Sequence, residues 1–309
     1  MRIGFFGTPE IAAYCLKKLL CQHQIDFIVT KEDKPVGRRQ KIQISPVKEV
    51  ALAHKVKIFQ PSSLNEVSFQ KELKSFSSDL FIVVAYGKII PKEIYNFPPF
   101  KTINLHPSLL PLYRGAAPLQ WALINGEKET GITIQMINDN LDEGDLLLQK
   151  KISIEVNQST GDLYKIVQEK GSELLEKTIN LISTRKIKSL PQDNSKATFC
   201  QKIDRNLAKI DWSWTAVKIH NLVRGLNPKP VAWTLFKGRN IKIWQTSLLS
   251  SSRALKLEPG SLIKDNKKLL IQTGDSLLEI KNLQPEGKQR MDGGSFCNGY
   301  RIKENDSFE

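Results

Sequence analysis

From residue 80 to residue 85 the chain reads Leu-Phe-Ile-Val-Val-Ala without one polar side chain. The run is too short for a buried helix and rich in β-branched residues, so it reads as a strand. A strand with no solvent-facing side must be covered on both faces, the usual condition of a parallel sheet flanked by helices. The start of the chain points to the same architecture. Residues 2–6 form a short apolar strand ending at Gly7-Thr8-Pro9, with Thr8 placed as a helix cap and Pro9 in the first turn. Ile11, Cys15, Leu16, Leu19 and Leu20 recur at helical spacing, and residues 25–29 read as the next strand. The chain therefore opens as a βαβ unit. Gly4 and Gly7 are a fragment of a dinucleotide-binding fingerprint, but no GxGxxG follows, and no nucleotide cofactor is inferred.

The alternation continues with a helix over 45–53 opened by Ser45-Pro46, a strand over 56–59, a helix over 64–76 and a strand over 102–105. A helix over 117–124, extended segments over 131–137 and 146–154, and a long helix to about residue 183 follow. Ser159 and Asp162 have the spacing of a capping box at its start. Residues 31–41 (KEDKPVGRRQK) are too polar for core and read as a mobile surface loop. Residues 184–206 are polar and lysine-rich and read as a linker. Beyond them, a helix within 211–226 and short strands over 232–236, 241–245, 269–273 and 277–280 indicate a small β-barrel. The expected fold is α/β: a Rossmann-like parallel-sheet domain over residues 1–189, a linker over 190–207, and a barrel domain over 208–309.

The chain has 309 residues, 40% hydrophobic and 25% charged, a balance that supports globular cores. No apolar run approaches the ~20 residues of a membrane helix, and the N-terminus has no signal-peptide pattern, so a cytoplasmic protein is expected. Cys15, Cys21, Cys200 and Cys297 are scattered without a CxxC pair and read as buried reduced thiols. His23, His54, His106 and His220 are equally dispersed, and no metal site is expected. The net charge is +14, and residues 200–309 carry 19 Lys+Arg against 11 Asp+Glu. That surplus favours a polyanionic partner, nucleic acid first, over a lysine-rich surface serving solubility alone.

Chemistry concentrates in the stretch from Asn104 to Pro118, NLHPSLLPLYRGAAP. Asn104 and His106 are two apart at a strand end and share one face. Pro107 and Pro111 then forbid regular structure, leaving the pair at the mouth of a loop. An amide and an imidazole side by side can donate hydrogen bonds to an oxygen that becomes negative, as in attack on a carbonyl-type carbon. A nearby carboxylate would orient the imidazole and favour its protonated form, and Asp142, in the acidic turn 140–145, is the candidate. Ser108 lacks a nucleophile-elbow context, so direct transfer between two substrates is favoured over a covalent intermediate. On the residues alone, a packed loop histidine beside a proline remains the competing reading.

FFGTPE, KPVGRRQK followed by SPVK, VVAYGKIIP, NLHPSLLPLYRGAAP, LDEGD and SFCNGYRIK together resemble the folate-dependent formyltransferase family, in the branch acting on initiator tRNA. The resemblance covers essentially the whole chain. It implies 10-formyltetrahydrofolate as formyl donor, initiator methionyl-tRNA as acceptor, no metal, a monomer, and an OB-like form for the C-terminal barrel. Asn104, His106 and Asp142 match the family's catalytic set. Ser108, Leu109, Leu110 and Pro111 match its folate-binding segment, and Tyr86, Gly87, Ile89 and Ile90 match the loop lining its pteridine pocket. Arg38, with Arg39 and Lys41, matches an insertion that contacts the tRNA acceptor end. A formyltransferase acting on a small amine, a formyltetrahydrofolate hydrolase, a non-catalytic RNA-binding protein and a nicotinamide-dependent dehydrogenase are the alternatives. The basic loop and barrel argue against the first, and the missing fingerprint against the last.

Overall fold

The computed structural model describes residues 1–36, 41–249 and 255–309, which form two compact units. The first comprises residues 1–115, 130–152 and 164–199, and the second residues 116–129, 153–163 and 200–309.

A seven-stranded sheet organises the first unit, in the order Leu146–Ser153, Glu129–Met136, Thr102–His106, Leu80–Val84, Arg2–Gly7, Gln24–Val29, Lys57–Phe59. The last five run parallel, but Glu129–Met136 lies antiparallel to Thr102–His106. The sheet is thus mixed, where a parallel one is expected from the alternation. A parallel return needs a helix crossing the sheet, and the helix in this connection, Pro118–Ile124, belongs to the second unit. The strand Leu80–Val84 is buried throughout, as its unbroken apolar run requires. Phe6, Phe27, Phe59, Phe69, Phe81 and Tyr86 pack together on one side of it, largely edge-to-face.

Chain order reverses between Arg2–Gly7 and Leu80–Val84: the chain first builds outward to Lys57–Phe59, then returns to the other side of its first strand. Ligand crevices in open α/β sheets lie at the carboxyl ends of the strands flanking such a reversal. Here Thr8 Oγ1 donates to the Tyr86 carbonyl at 3.4 Å across it. Thr8 is therefore not the helix cap expected from its place before Pro9. Pro9 itself is the N-cap of Glu10–Leu20, and no side chain caps that helix.

Ser45 does cap the next helix, Pro46–Ala53: its Oγ accepts from the Lys48 amide at 3.1 Å and bonds the Thr30 hydroxyl at 2.8 Å. Ser45→Ala is expected to cost about 1 kcal/mol, read as a lower urea midpoint at unchanged m-value. The charged stretch before it is not wholly irregular. Lys34–Val36 and Lys41–Gln43 pair as an antiparallel ribbon with Pro35 opposite Ile42, while Gly37, Arg38, Arg39 and Gln40 lie outside the described residues. Two-residue-period pairing needs few apolar contacts, so the ribbon is masked in a composition dominated by charge. At its base, Lys48 Nζ bonds Asp33 and Gln60, and Gln60 Nε2 donates to the Lys31 carbonyl at 2.7 Å. The Lys48 and Gln60 hydrogen bonds hold the Asp33 carboxyl below its ordinary range.

The second unit packs the helix Ala216–Gly225 on an antiparallel sheet ordered Ala232–Phe236, Arg239–Leu248, Leu277–Pro285, Lys268–Gln272, Leu262–Asp265, with Met291–Asp292 beside Leu277–Pro285. Trp212, Ile219, Leu222, Phe236, Ile243, Leu278 and Phe296 are among its core. Trp212 is buried, and Trp214 and Trp233 pack against the core from its rim. Cys15, Cys200 and Cys297 are buried and in no disulfide, and burial pushes the Cys15 thiol up to about 12. Cys21, expected inside, is exposed just past the end of the first helix. No helix among the described residues is long and apolar enough to cross a membrane.

Candidate active site

Strand pairing assembles the site. Asn104 sits opposite Gln135 and His106 opposite Thr133, so all four side chains share one face of the sheet at the end of Thr102–His106. The turn after Glu129–Met136 then folds back over them and delivers Asp142. Asp142 Oδ1 lies 3.1 Å from Gln135 Nε2, 3.5 Å from Asn104 Nδ2 and 3.5 Å from His106 Nδ1. Its Oδ2 accepts from the Gly115 amide at 3.0 Å. One carboxylate is thus the common acceptor of an amide pair, an imidazole and a backbone N–H. His106 is 4% exposed, and its other nitrogen, Nε2, is 3.0 Å from the Tyr113 carbonyl. A carbonyl only accepts, so the Nε2 proton is fixed there. Nδ1 is then the ring nitrogen that faces Asp142.

The loop after His106 is held from below. Thr133 Oγ1 donates to the Ser108 carbonyl at 2.7 Å and accepts from the Leu110 amide at 3.1 Å. Gln149 Nε2 donates to both the Leu110 carbonyl and Thr133 Oγ1 at 2.9 Å. Ser108 Oγ donates to the Leu112 carbonyl at 2.6 Å rather than facing outward as a nucleophile would. Three non-glycine residues here adopt left-handed backbone: Ala85 at φ 47°, Tyr113 at φ 58° and Asp142 at φ 51°. Such conformations cost on the order of 1 kcal/mol each and persist where surrounding contacts over-determine them. Among the described residues no cluster of three His, Cys, Asp or Glu could hold a metal ion. The arrangement is suited to stabilising charge on a carbonyl-type oxygen and moving one proton.

Residues 1–179 match the family model described as formyl transferase, and residues 202–301 match the formyl transferase C-terminal domain. This chain belongs to the formyl transferase family. A relative from Alkaliphilus oremlandii, a methionyl-tRNA formyltransferase, is 41% identical over 98% of each chain. One of the same name from Carboxydothermus hydrogenoformans is 40% identical over 100% of each. Among solved structures, a sugar 3N-formyl transferase superimposes with a TM-score of 0.69 at 23% identity, over 94% of this chain and 99% of that one. That likeness concerns the fold.

In this formyl transferase, the three residues expected to act together, Asn104, His106 and Asp142, do meet. Ser108 and Leu110 are buried within the loop bracket, while Leu109 and Pro111 are half-buried. On the neighbouring strand end, Gly87 and Ile89 are exposed, and Ile90 is buried. The Tyr86 ring lies in the aromatic core, with burial and then the Glu32 charge pushing its hydroxyl up to about 12. Arg38 and Arg39 lie outside the described residues; Lys41 begins the second strand of the ribbon. Among the site residues that the sequence alone does not single out, Gln135 and Gln192 stand next to Asp142. Gln135 carries a signal: with Thr133 it alternates with the buried Ile132 and Ile134, which puts two polar groups on one face of the strand. Gln192 has no local signal. It comes from the polar stretch 184–206, and its Nε2 donates to Gln135 Oε1 at 3.1 Å and the Asp142 carbonyl at 2.9 Å.

Proposed function

We propose that this chain transfers the formyl group of 10-formyltetrahydrofolate to the α-amino group of methionyl initiator tRNA, in the cytoplasm and as a monomer. The carrying observation is the convergence of Asn104, His106 and Gln135 on the Asp142 carboxylate, in a chain whose full-length relatives bear that activity's name. The donor supplies an amide-like formyl carbon on N10. The neutral amine attacks that carbon, and the oxygen becomes negative in a tetrahedral intermediate. Asn104 Nδ2 and the Nδ1 proton of His106 donate to this oxyanion. Asp142 balances the imidazolium and relays the amine proton through water toward N10. The new N–C bond then stays and the C–N10 bond breaks, with no covalent enzyme intermediate. The loose 3.5 Å contacts leave room for that relay and are expected to tighten with substrates in place.

The residues present suit the donor. Ile89, Leu112 and Leu141 are exposed apolar side chains, 89%, 41% and 63% accessible, on the three segments bordering the polar cluster, where a flat heterocycle could lie. Ser108, Leu109, Leu110 and Pro111, with Tyr86, Gly87, Ile89 and Ile90, form its binding segments on this reading. On this reading residues 1–189, joined by Gln192 from the connection over 190–207, carry the chemistry, and residues 208–309 carry RNA with Arg38, Arg39 and Lys41.

The test is incubation with 10-formyltetrahydrofolate and charged initiator tRNA, scoring formyl-methionine, with an amino-sugar nucleotide as the rival acceptor. Formylation of the sugar alone would overturn the reading. The net charge of +14 adds a second expectation: tRNA affinity should fall roughly 10³-fold or more between 50 and 200 mM salt. Arg38→Ala should flatten that slope by about one charge while donor affinity stays unchanged. A salt-independent affinity would remove the RNA surface from the proposal.

A further inference from the structure

We propose that Gln192 and Arg114 are positioning residues for formyl transfer, locking the amide of Gln135 so that it always donates to Asp142. The inference rests on the reading above and adds a residue pair outside the Asn104–His106–Asp142 set. Arg114 is 2% exposed, and a guanidinium can only donate. Its Nε and Nη2 reach Gln192 Oε1 at 3.1 and 2.7 Å, so that atom is the acceptor end of the Gln192 amide. The donor end, Nε2, then faces the Asp142 carbonyl at 2.9 Å, the Gly144 carbonyl at 2.7 Å and Gln135 Oε1 at 3.1 Å. The two carbonyls only accept, which assigns the same orientation from the opposite side. A flipped Gln192 would put an amide nitrogen against arginine and an oxygen against two carbonyls.

With Gln135 Oε1 occupied as acceptor, its Nε2 is left pointing at Asp142 Oδ1, 3.1 Å away. The sequence Arg114, Gln192, Gln135, Asp142 is therefore a hydrogen-bond chain with one permitted direction, running from a buried cation to the carboxylate beside His106. Glu143 and Asn194 support the cation end. Glu143 Oε2 is 3.7 Å from Arg114 Nη1, and Glu143 Oε1 accepts from Asn194 at 2.8 Å. Asn194 Oδ1 accepts from Arg114 Nη2 at 2.7 Å. The same Gln192 nitrogen pins both carbonyls of the Asp142–Gly144 turn, so the chain fixes where the carboxylate sits as well as what donates to it.

The decisive experiment measures kcat and KM of transfer for wild type, Gln192→Met and Gln192→Glu, each also in an Asp142→Asn background. Gln192→Met fills similar space without hydrogen bonds, and Gln192→Glu keeps the acceptor for Arg114 but loses every donor. Both are expected to lower kcat roughly 10²-fold, as misplacing a reacting group does, with KM for both substrates within about twofold. On the Asp142→Asn background the same changes should cost almost nothing further, because the group being positioned is already gone. An equal loss on both backgrounds, an increase in KM alone, or undiminished kcat in Gln192→Glu would overturn the assignment. Wild type without formyl transfer would instead overturn the underlying reading.

Discussion

Asp142→Asn is expected to lower kcat for formyl transfer by about 10²–10⁴-fold while both substrates still bind. The substitution preserves shape and changes one property: a carboxylate that accepts on both oxygens becomes an amide that donates on one side. Four donors now face Asp142, from Asn104, His106, Gln135 and Gly115. An asparagine must turn its NH2 toward at least one of them, and the negative charge that balances an imidazolium at His106 is lost in every orientation. Because His106 Nε2 is committed to the Tyr113 carbonyl, the imidazole has no alternative way to present a proton. His106→Ala is expected to cause a loss of the same order. Steady-state turnover with equilibrium binding of donor and tRNA separates chemistry from binding, and near-normal turnover in Asp142→Asn would refute the proposed mechanism.

How readily each part can be read from sequence depends on whether its constraint is local. Period two alone places Asn104 and His106 on one face, and the unbroken apolar run over 80–85 alone demands a strand covered on both sides. Gln135 needs more, because its importance follows from standing opposite Asn104, and that register is set by an antiparallel return which the alternation does not reveal. Gln192 is further removed still. Its segment is polar and lysine-rich with no period, and it acts through two backbone carbonyls and one amide that only the folded turn brings together. The misplaced cap has the same origin: Thr8 has the right chemistry to cap the first helix, but its hydroxyl is drawn to the Tyr86 carbonyl across the strand reversal. Local propensity was overridden there by a tertiary hydrogen bond. The charged ribbon illustrates the opposite error, since backbone pairing at Lys34–Val36 and Lys41–Gln43 leaves almost no hydrophobic trace.

Gly144→Ala is expected to destabilise the first unit by about 3 kcal/mol, at the upper end for overpacking, and to remove activity in the fraction that still folds. A Cβ on Gly144 would stand 1.8 Å from the Met136 carbonyl oxygen and 2.7 Å from its carbon. The obstacle is backbone at the end of a sheet strand, not the tip of a movable side chain. Met136 cannot retreat freely, because its amide donates to the Asp145 carbonyl at 2.9 Å and it pairs with Ile103 in the sheet. The turn itself must therefore rise, carrying Asp142 away from Asn104, Gln135 and His106 and pulling the Gly144 carbonyl from Gln192. Urea unfolding and transfer kinetics on one preparation check both halves. A variant with an unchanged unfolding midpoint and wild-type kcat would show that the turn tolerates displacement. Asp142 would then not need the close approach of turn to strand that only a residue without a side chain permits.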